Sequence, residues 1–487
     1  MKPNTNFFKR MLSAHSGIGL AVGVLMYVIC LTGTVAVFFQ EFERWEQPQI
    51  EEFSTLAPIT MPRASQEFYA LHPESTKPLY FVLPTQALPR AHISDGDHEY
   101  WLNKDGTISE SVNSPWTKLL TKLHVYLHLP EQLGLVIVGI LGVMLTALIL
   151  SGLFAHSRIL KDAFRLRWGG TGQQQQIDIH NRLSVWAMPF HLVIAVTGAF
   201  FGIVGLLILS ATSIYYQGDR DALIADVYGG DPQIAAHQNE IDFKRSFTEL
   251  TNVAPKAKPI YAVIQNPKTE RSYLEIAATL PERLIYSEIY RFDVNGNYIN
   301  HQGFSDGPIS RQVVYSVYRI HFGHFGGYPI KIAYVLLGLS LTVVCVTGIN
   351  IWLNRRKHED NINYLWAALV WGTPLALTNS AIASLIKPNF ELMMFLVTLV
   401  FTSAWALNNK KIITINRNLV GFNALAIVVL ITIYSAKYTN YLLQPATFII
   451  NVFVFAWFIL CIGFLAYYRN RDQFARNNIT KGQTVSV

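Results

Sequence analysis

The sequence predicts an α-helical protein that crosses a membrane about eight times and carries two small α+β domains outside it. The first reason is composition, since 51% of the 487 residues are hydrophobic and only 15% are charged, whereas ordinary soluble domains have roughly 25% charged residues. The second is a set of eight largely apolar stretches that contain no Lys, Arg, Asp or Glu. The third is a pair of long polar segments between them. These observations exclude a soluble enzyme, a disordered protein and a disulfide-rich scaffold.

Each stretch is close to the roughly 20 residues that an α-helix needs to span a bilayer. The first, within residues 1–40, is predicted to be an anchor because it is too long for a cleavable signal peptide. The third is longer than one span and should project from the bilayer, and Gly372-Thr373-Pro374 interrupts the fifth. The predicted spans are residues 14–40, 132–157, 183–218, 332–354, 363–386, 392–409, 418–436 and 441–468, the last four lying within 355–487.

Short clusters of Lys and Arg flank the spans, and with eight spans all of the clusters fall on one side of the membrane. Because cytoplasmic loops carry an excess of these residues, that side and both termini are predicted to be cytoplasmic. The net charge of +7 is therefore a topology signal, and no nucleic-acid partner is predicted. The clusters are Lys2, Lys9 and Arg10; Arg158, Lys161, Arg165, Arg167 and Arg182 in the loop 158–182; Arg355, Arg356 and Lys357; Lys410, Lys411 and Arg417; and Arg469, Arg471 and Arg476.

The two polar segments, residues 41–131 and 219–331, are predicted to face outward and to fold in water. Aromatic and β-branched runs surround Asp105-Gly106 in the first and Asn295-Gly296 in the second. This pattern is typical of β-hairpins, so each segment is predicted to be a small α+β domain. The only cysteines are Cys30, Cys345 and Cys461, all inside predicted spans, so disulfides do not hold the outward domains.

The first four spans show an internal repeat. His15 precedes Thr32-Gly33 by 17 residues, and His180 precedes Thr197-Gly198 by the same number. A spacing of 23 residues likewise separates His128 from Ser151-Gly152 and His324 from Thr347-Gly348. The repeating unit is a helix, an outward domain and a helix, and both copies start in the cytoplasm. We expect a parallel duplication with a pseudo-two-fold axis along the membrane normal.

Eight histidines fall into two groups at opposite ends of these spans. Ionisable residues at such positions usually face the interior of a bundle, and haem iron takes axial imidazoles from facing helices. Two groups therefore predict two b-type haems, one above the other. The cytoplasmic group is His15, His156, His180 and His191, and the outward group is His124, His128, His321 and His324. The pseudo-two-fold axis favours pairing His15 with His180 and His124 with His321, although the deeper His191 could replace either cytoplasmic ligand.

Two other functions remain open from the residues alone. Imidazole also suits Zn, Cu and Ni, so a histidine-lined metal-ion permease is possible, although the spans lack rows of acidic, Cys or Met ligands. The protein could also be a non-catalytic regulator that binds an envelope protein through its outward domains. The Thr-Gly pairs are interpreted as sites of close helix packing.

Four segments of the chain resemble the PepSY-associated transmembrane proteins, also called the iron-regulated or iron-uptake membrane protein family. The resemblance covers about residues 10–357, and the third segment is the most specific. The segments are His15 through Gly33 to Trp45; Leu123-His124 with Gly134 and Ser151-Gly152; His156-Ser157-Arg158-Ile159 leading into Asp178-Ile179-His180-Asn181 and Pro189-Phe190-His191; and His321-Phe322-Gly323-His324 with Thr347-Gly348 and Trp352.

The resemblance implies PepSY-like domains in the periplasm, an inner bacterial membrane, and two b-type haems. It further implies a siderophore-reductase-like oxidoreductase that reduces ferric siderophore, or another iron chelate, at the periplasmic face. Its recurring positions match His15, His124, His180 and His321, and a subgroup motif matches His156 and His191. No catalytic residue is implied. Since the cytoplasmic loops contain no GxGxxG motif, the electron donor is expected to be the quinone pool or a separate reductase.

Overall fold

The computed structural model describes residues 5–155, 164, 172–228, 230–237, 240–305, 309–356 and 358–480. The chain divides into two compact units. The first unit consists of Met1–Pro48, Ser114–Ile203 and Ile332–Val487, and the second consists of Gln49–Asn113 and Val204–Lys331.

Eight helices in the described part of the chain are long and apolar enough to cross a membrane, which confirms the predicted polytopic membrane protein. Two shorter helices flank the first two of them: α2 (Phe39–Glu46) follows the first, and α4 (Pro115–Tyr126) precedes the second. The long helices are α1 (Thr5–Ala36), α5 (Glu131–Ala155), α7 (Met188–Tyr215), α11 (Gly327–Arg355), α12 (Asn361–Ile386), α13 (Glu391–Asn409), α14 (Ile412–Lys437) and α15 (Pro445–Thr480).

The first four long helices share a core in the first unit. Buried side chains from each of them meet, among them Met26, Leu141, Ala195 and Leu341. The α5 and α7 backbones approach closely at glycine, since a Cβ on Gly139 would lie 2.8 Å from the Gly202 carbonyl carbon. Small residues at a crossing are how membrane helices gain van der Waals contact.

Two predicted spans differ in detail from the structure. The third stretch is preceded by a separate helix, α6 (Gly172–Trp186), which ends just before α7 and carries His180. The fifth stretch is continuous, because α12 runs through Gly372-Thr373-Pro374 without a break. The missing side chain of Gly372 accommodates Thr402 of α13, whose Oγ1 would lie 2.7 Å from an added Cβ.

The second unit is built around one antiparallel sheet of eight strands in the order β4-β3-β2-β1-β5-β6-β7-β8. The sequence predicted a hairpin in each polar segment, and both hairpins form, as β3–β4 and β7–β8. Strand pairing between β1 and β5 joins the two segments into one sheet, which the sequence did not foresee. The strands are β1 (Leu79–Val82), β2 (Ala91–Ser94), β3 (Glu99–Leu102), β4 (Ile108–Ser111), β5 (Lys258–Gln265), β6 (Tyr273–Thr279), β7 (Glu288–Phe292) and β8 (Tyr298–Gln302).

The same element order occurs in both segments of this unit. Helix α3 (Met61–Leu71) precedes β1 to β4, and α9 (Phe243–Val253) precedes β5 to β8. Side chains of both helices and of the sheet form one apolar core, with Phe68, Phe81 and Phe292 fully buried. The remaining helices of this unit are α8 (Arg220–Tyr228) and α10 (Ile309–Phe322).

Candidate functional site

The structure brings two predicted ligands, His15 of α1 and His180 of α6, close together in the first unit. Their ring centroids lie 6.2 Å apart and their planes are inclined by 81°. When two imidazoles bind opposite sides of one metal ion, each metal–nitrogen bond is about 2 Å and each nitrogen is about 1 Å from its ring centre, so the two centroids lie roughly 6 Å apart. The separation of the two rings therefore leaves room for one metal ion between them.

Each ring is oriented by a backbone carbonyl on a neighbouring helix. His15 Nδ1 lies 3.0 Å from the Leu148 carbonyl oxygen of α5, and His180 Nδ1 lies 3.1 Å from the Val344 carbonyl oxygen of α11. A carbonyl oxygen only accepts hydrogen bonds, so Nδ1 is the donor in both rings. The remaining nitrogen, Nε2, then carries the lone pair that binds a metal, which is the usual arrangement of a metal-ligating histidine.

A hydroxyl and a glycine complete the same setting around both rings. Ser151 Oγ is 3.4 Å from His15 Nδ1, and Thr347 Oγ1 is 3.1 Å from His180 Nδ1. A Cβ added to the next residue would lie 3.0 Å from His15 Cε1 at Gly152 and 3.3 Å from His180 Cε1 at Gly348. The two glycines thus let the imidazoles lie directly against the helix backbone.

His124 of α4 has the same kind of partner. Its Nδ1 lies 3.0 Å from the Ile29 carbonyl oxygen of α1, and a Cβ on Gly33 would overlap its ring. Gly33 follows Ile29 by four residues, as Gly152 follows Leu148 and Gly348 follows Val344. Three histidines are therefore held in the same way: Nδ1 bonds a backbone carbonyl, and the glycine four residues later lies against the ring.

Burial lowers the pKa of two candidate histidines outside the spans, His180 and His124. The pKa of His180 is lowered to about 4 by burial and by the neighbouring His15, against the opposing effect of the bond to Val344. Burial also lowers the pKa of His124, although its bond to Ile29 raises it. Neutral imidazole is the form that ligates metals, so both side chains are ready for a ligand role at neutral pH.

His191 is held differently. Its side chain is buried on α7, and its Nε2 lies 3.0 Å from Ser340 Oγ of α11. The Leu337 carbonyl oxygen is 3.4 Å from the same nitrogen. The structure therefore uses Nε2 of His191, and not Nδ1, to contact a neighbouring helix.

The other predicted site residues are distributed over the chain. His128 lies in the tight turn between α4 and α5, where its φ is +55°, and His156 lies outside the described residues. His321 and His324 belong to the second unit, near the end of α10. The His324 carbonyl accepts a 2.8 Å bond from Arg319 Nε, and burial, Lys331 and Arg319 lower the pKa of His324 to about 4. Since His124 and His321 lie in different units, their pairing stays a prediction.

The donor set of His15 and His180 fits haem iron better than a bare ion. Within the described residues, no three His, Cys, Asp or Glu side chains form a group that could hold a metal ion. A free transition-metal ion usually takes three or four protein ligands, whereas haem iron needs only axial ones. A pair of imidazoles, both fixed through Nδ1, satisfies that need.

Sequence reasoning found the histidines but missed the residues that hold them. It interpreted the Thr-Gly pairs, among them Thr32-Gly33 and Thr347-Gly348, as packing positions and used Ser151-Gly152 only as part of the repeat, whereas the structure places Gly33, Gly152 and Gly348 against imidazole rings. The signal was present in the sequence, since a small hydroxyl residue followed by glycine recurred at fixed distances from the histidines. The carbonyl four residues before each glycine could be found only from the helix geometry.

The chain has clear relatives. A family model described as the PepSY-associated TM region matches residues 12–355, nearly the range over which the sequence showed its resemblance. A protein of Pseudomonas aeruginosa, "Uncharacterized protein PA4219", is 23% identical over 260 residues, which are 51% of this chain. The match spans 66% of that protein's own length, just under two thirds.

Proposed function

Because the chain belongs to the PepSY-associated transmembrane family, we propose that it is a di-haem b-type oxidoreductase of the bacterial inner membrane. It passes electrons across the membrane and reduces ferric iron at the periplasmic face, with ferric siderophore as the expected substrate. The observation that carries the proposal is the pair His15 and His180, with rings 6.2 Å apart and both Nδ1 atoms directed at backbone carbonyls.

When bound, haem supplies a one-electron carrier. The protein's part would be to hold the iron through His15 and His180. The carbonyls of Leu148 and Val344 fix the ring orientation and make the imidazoles more basic ligands.

The second haem would use His124, with His321 as its proposed partner. Their predicted position at the outward ends of the spans would bring an electron to the periplasmic side. Fe(III) prefers the hard oxygen ligands of siderophores and Fe(II) is held more weakly, so reduction would release the iron. The electron would come from the quinone pool or a cytoplasmic reductase, and the sheet of the second unit would provide the docking surface.

A spectrum of the purified protein tests this proposal. We expect absorption of a bis-imidazole b-type haem that sharpens on reduction with dithionite. Nearly perpendicular imidazole planes bring two iron d orbitals close in energy, so the ferric His15–His180 site should give a strongly anisotropic low-spin EPR signal. His180→Ala should remove this signal, and His358→Ala, a change in an exposed loop, should retain it.

The alternatives give different results. A colourless protein from haem-replete cells would overturn the haem proposal. Metal uptake into proteoliposomes without a reductant would favour a permease. Full activity after replacement of all eight histidines would favour a regulator of envelope proteins.

A further inference from the structure

Glu46 is a buried carboxyl at the last position of α2, and it caps the start of α4. Its Oε1 accepts bonds from Thr117 N–H at 2.9 Å and Thr117 Oγ1 at 2.6 Å. Its Oε2 accepts the Trp116 N–H at 3.0 Å and Ser384 Oγ at 3.2 Å. The N-cap residue of α4, Ser114, makes no side-chain capping bond. Glu46 therefore accepts hydrogen bonds from backbone N–H groups in the first turn of α4, which its N-cap side chain does not bond.

Residues from the last four spans pack around Glu46 and its neighbours. From α12, Ser384 bonds the carboxyl and the Leu377 carbonyl accepts the Trp116 indole N–H at 2.9 Å. Directly after α14, Tyr438 donates to the Glu46 carbonyl at 3.0 Å. Trp45 stacks on Tyr434 with centroids 4.2 Å apart. These spans lie beyond residue 355, where the family match ends, and their contacts with α2 and α4 suggest what they do.

The capped helix is the one that carries His124. Thr117 and His124 are seven residues apart, which is two turns and on the order of 10 Å of rise, so they share a face. The position of His124 therefore depends on how the first turn of α4 is held. A charge on Glu46 also lies at the positive end of the α4 dipole.

We propose that Glu46 is a positioning residue for the haem ligand His124: its carboxyl, buried against α12 and α14, orients α4, and its charge lowers the reduction potential of the iron there. This inference rests on the proposed function, since it needs a haem at His124. It gives two of the four spans outside the family match, α12 and α14, a role, which is to remove Glu46 from water.

The electrostatic surroundings allow that charge to change near neutral pH. Burial raises the pKa of Glu46 to about 7, against bonds from Thr117, Trp116 and Ser384 that lower it. The other titratable or charged groups on α2, α4 and α12 to α14 are Glu41, Glu43 and Arg44 on α2; Lys118, Lys122, His124 and Tyr126 on α4; Tyr364 on α12; Glu391 on α13; and Arg417, Tyr434 and Lys437 on α14, with Tyr438 directly after it. Lys437 Nζ bonds the Leu385 carbonyl, next to Ser384. Deprotonation adds a negative charge, which favours ferric iron.

Redox titration of the purified protein at several pH values across neutrality is the test. In the wild type, the potential of the His124 haem should fall as the pH rises. Glu46→Gln, which is neutral at every pH, should abolish this dependence and leave the His15–His180 haem unchanged. The control is Glu391→Gln, a buried carboxyl that instead accepts a bond from Asn389 N–H at 2.8 Å, and it should behave as wild type.

Ser384→Ala provides a second, milder variant if Glu46→Gln does not fold. Loss of one donor destabilises the carboxylate, so the pH dependence should shift to higher pH. The inference is overturned if the His124 haem is present but its potential has the same pH dependence in the wild type, Glu46→Gln and Ser384→Ala. A haem-free wild-type protein would overturn the proposed function itself and this inference with it.

Discussion

At the scale of single residues, the glycines beside the histidine rings decide whether an imidazole can lie against a neighbouring helix. Their clearances differ, because an added Cβ would overlap His124 at Gly33 but lie 3.0 Å from His15 Cε1 at Gly152 and 3.3 Å from His180 Cε1 at Gly348. The three positions therefore form a graded series around one type of contact.

We expect substitution by alanine to reduce haem content in the order of these clearances. Gly33→Ala should lose most of the haem at His124, Gly152→Ala should lose less at its site, and Gly348→Ala should mainly shift the spectrum. The measurement is haem absorbance per mole of purified protein. Gly17→Ala is the matched control, since it also lies on α1 and nothing lies within 4 Å of its added Cβ. Equal haem loss in all four variants would contradict the steric explanation.

At the scale of elements, most of the helices could be predicted and some of their junctions could not. Long apolar runs without charge predict spans directly, which is why α12 was found despite Pro374. The break between α6 and α7, at Ala187, was missed because the residues on both sides of it, Val185-Trp186 and Met188, are apolar. The β1–β5 pairing was missed because strands from segments more than 150 residues apart leave no local pattern in the sequence.

The turns of two hairpins in the first polar segment, β3–β4 with Gly106 and β2–β3 with Gly96, depend on glycine for two different reasons. Gly106 has a φ of +84°, and an added Cβ would lie 2.8 Å from Thr60 Cβ. Gly96 has a φ of +90°, but nothing lies within 4 Å of its added Cβ. Comparison of alanine substitutions at these two glycines distinguishes the cost of a left-handed backbone from the cost of a steric clash.

Gly96→Ala should lower the free energy of unfolding of the second unit by roughly 1–2 kcal/mol, the cost of a left-handed backbone. Gly106→Ala should cost clearly more, because its Cβ also meets Thr60. Denaturant unfolding of the intact protein in detergent, followed by limited proteolysis of the sheet, measures both. Equal losses would mean that the contact with Thr60 relaxes freely.

At the scale of the whole molecule, haem should act as a ligand of the folded state. A ligand present at 100 times its dissociation constant stabilises a protein by about 2.7 kcal/mol. Protein from haem-depleted cells should therefore unfold at a lower temperature than protein from haem-replete cells, as measured by scanning calorimetry in detergent. The difference in unfolding temperature between the two preparations should be smaller for His15→Ala. Identical unfolding temperatures in both preparations would argue against haem as part of the folded protein.

The order of strands in the sheet also has a consequence for synthesis. Strand β1 leaves the ribosome long before its partner β5, because α5, α6 and α7 are translated between them. Until β5 arrives, one edge of β1 has unpaired N–H and C=O groups, which is a template for aggregation. Such a long-range pairing also slows folding. The partly translated chain should therefore need chaperones. A pause in translation before residue 258 would lengthen the time during which the edge of β1 is unpaired.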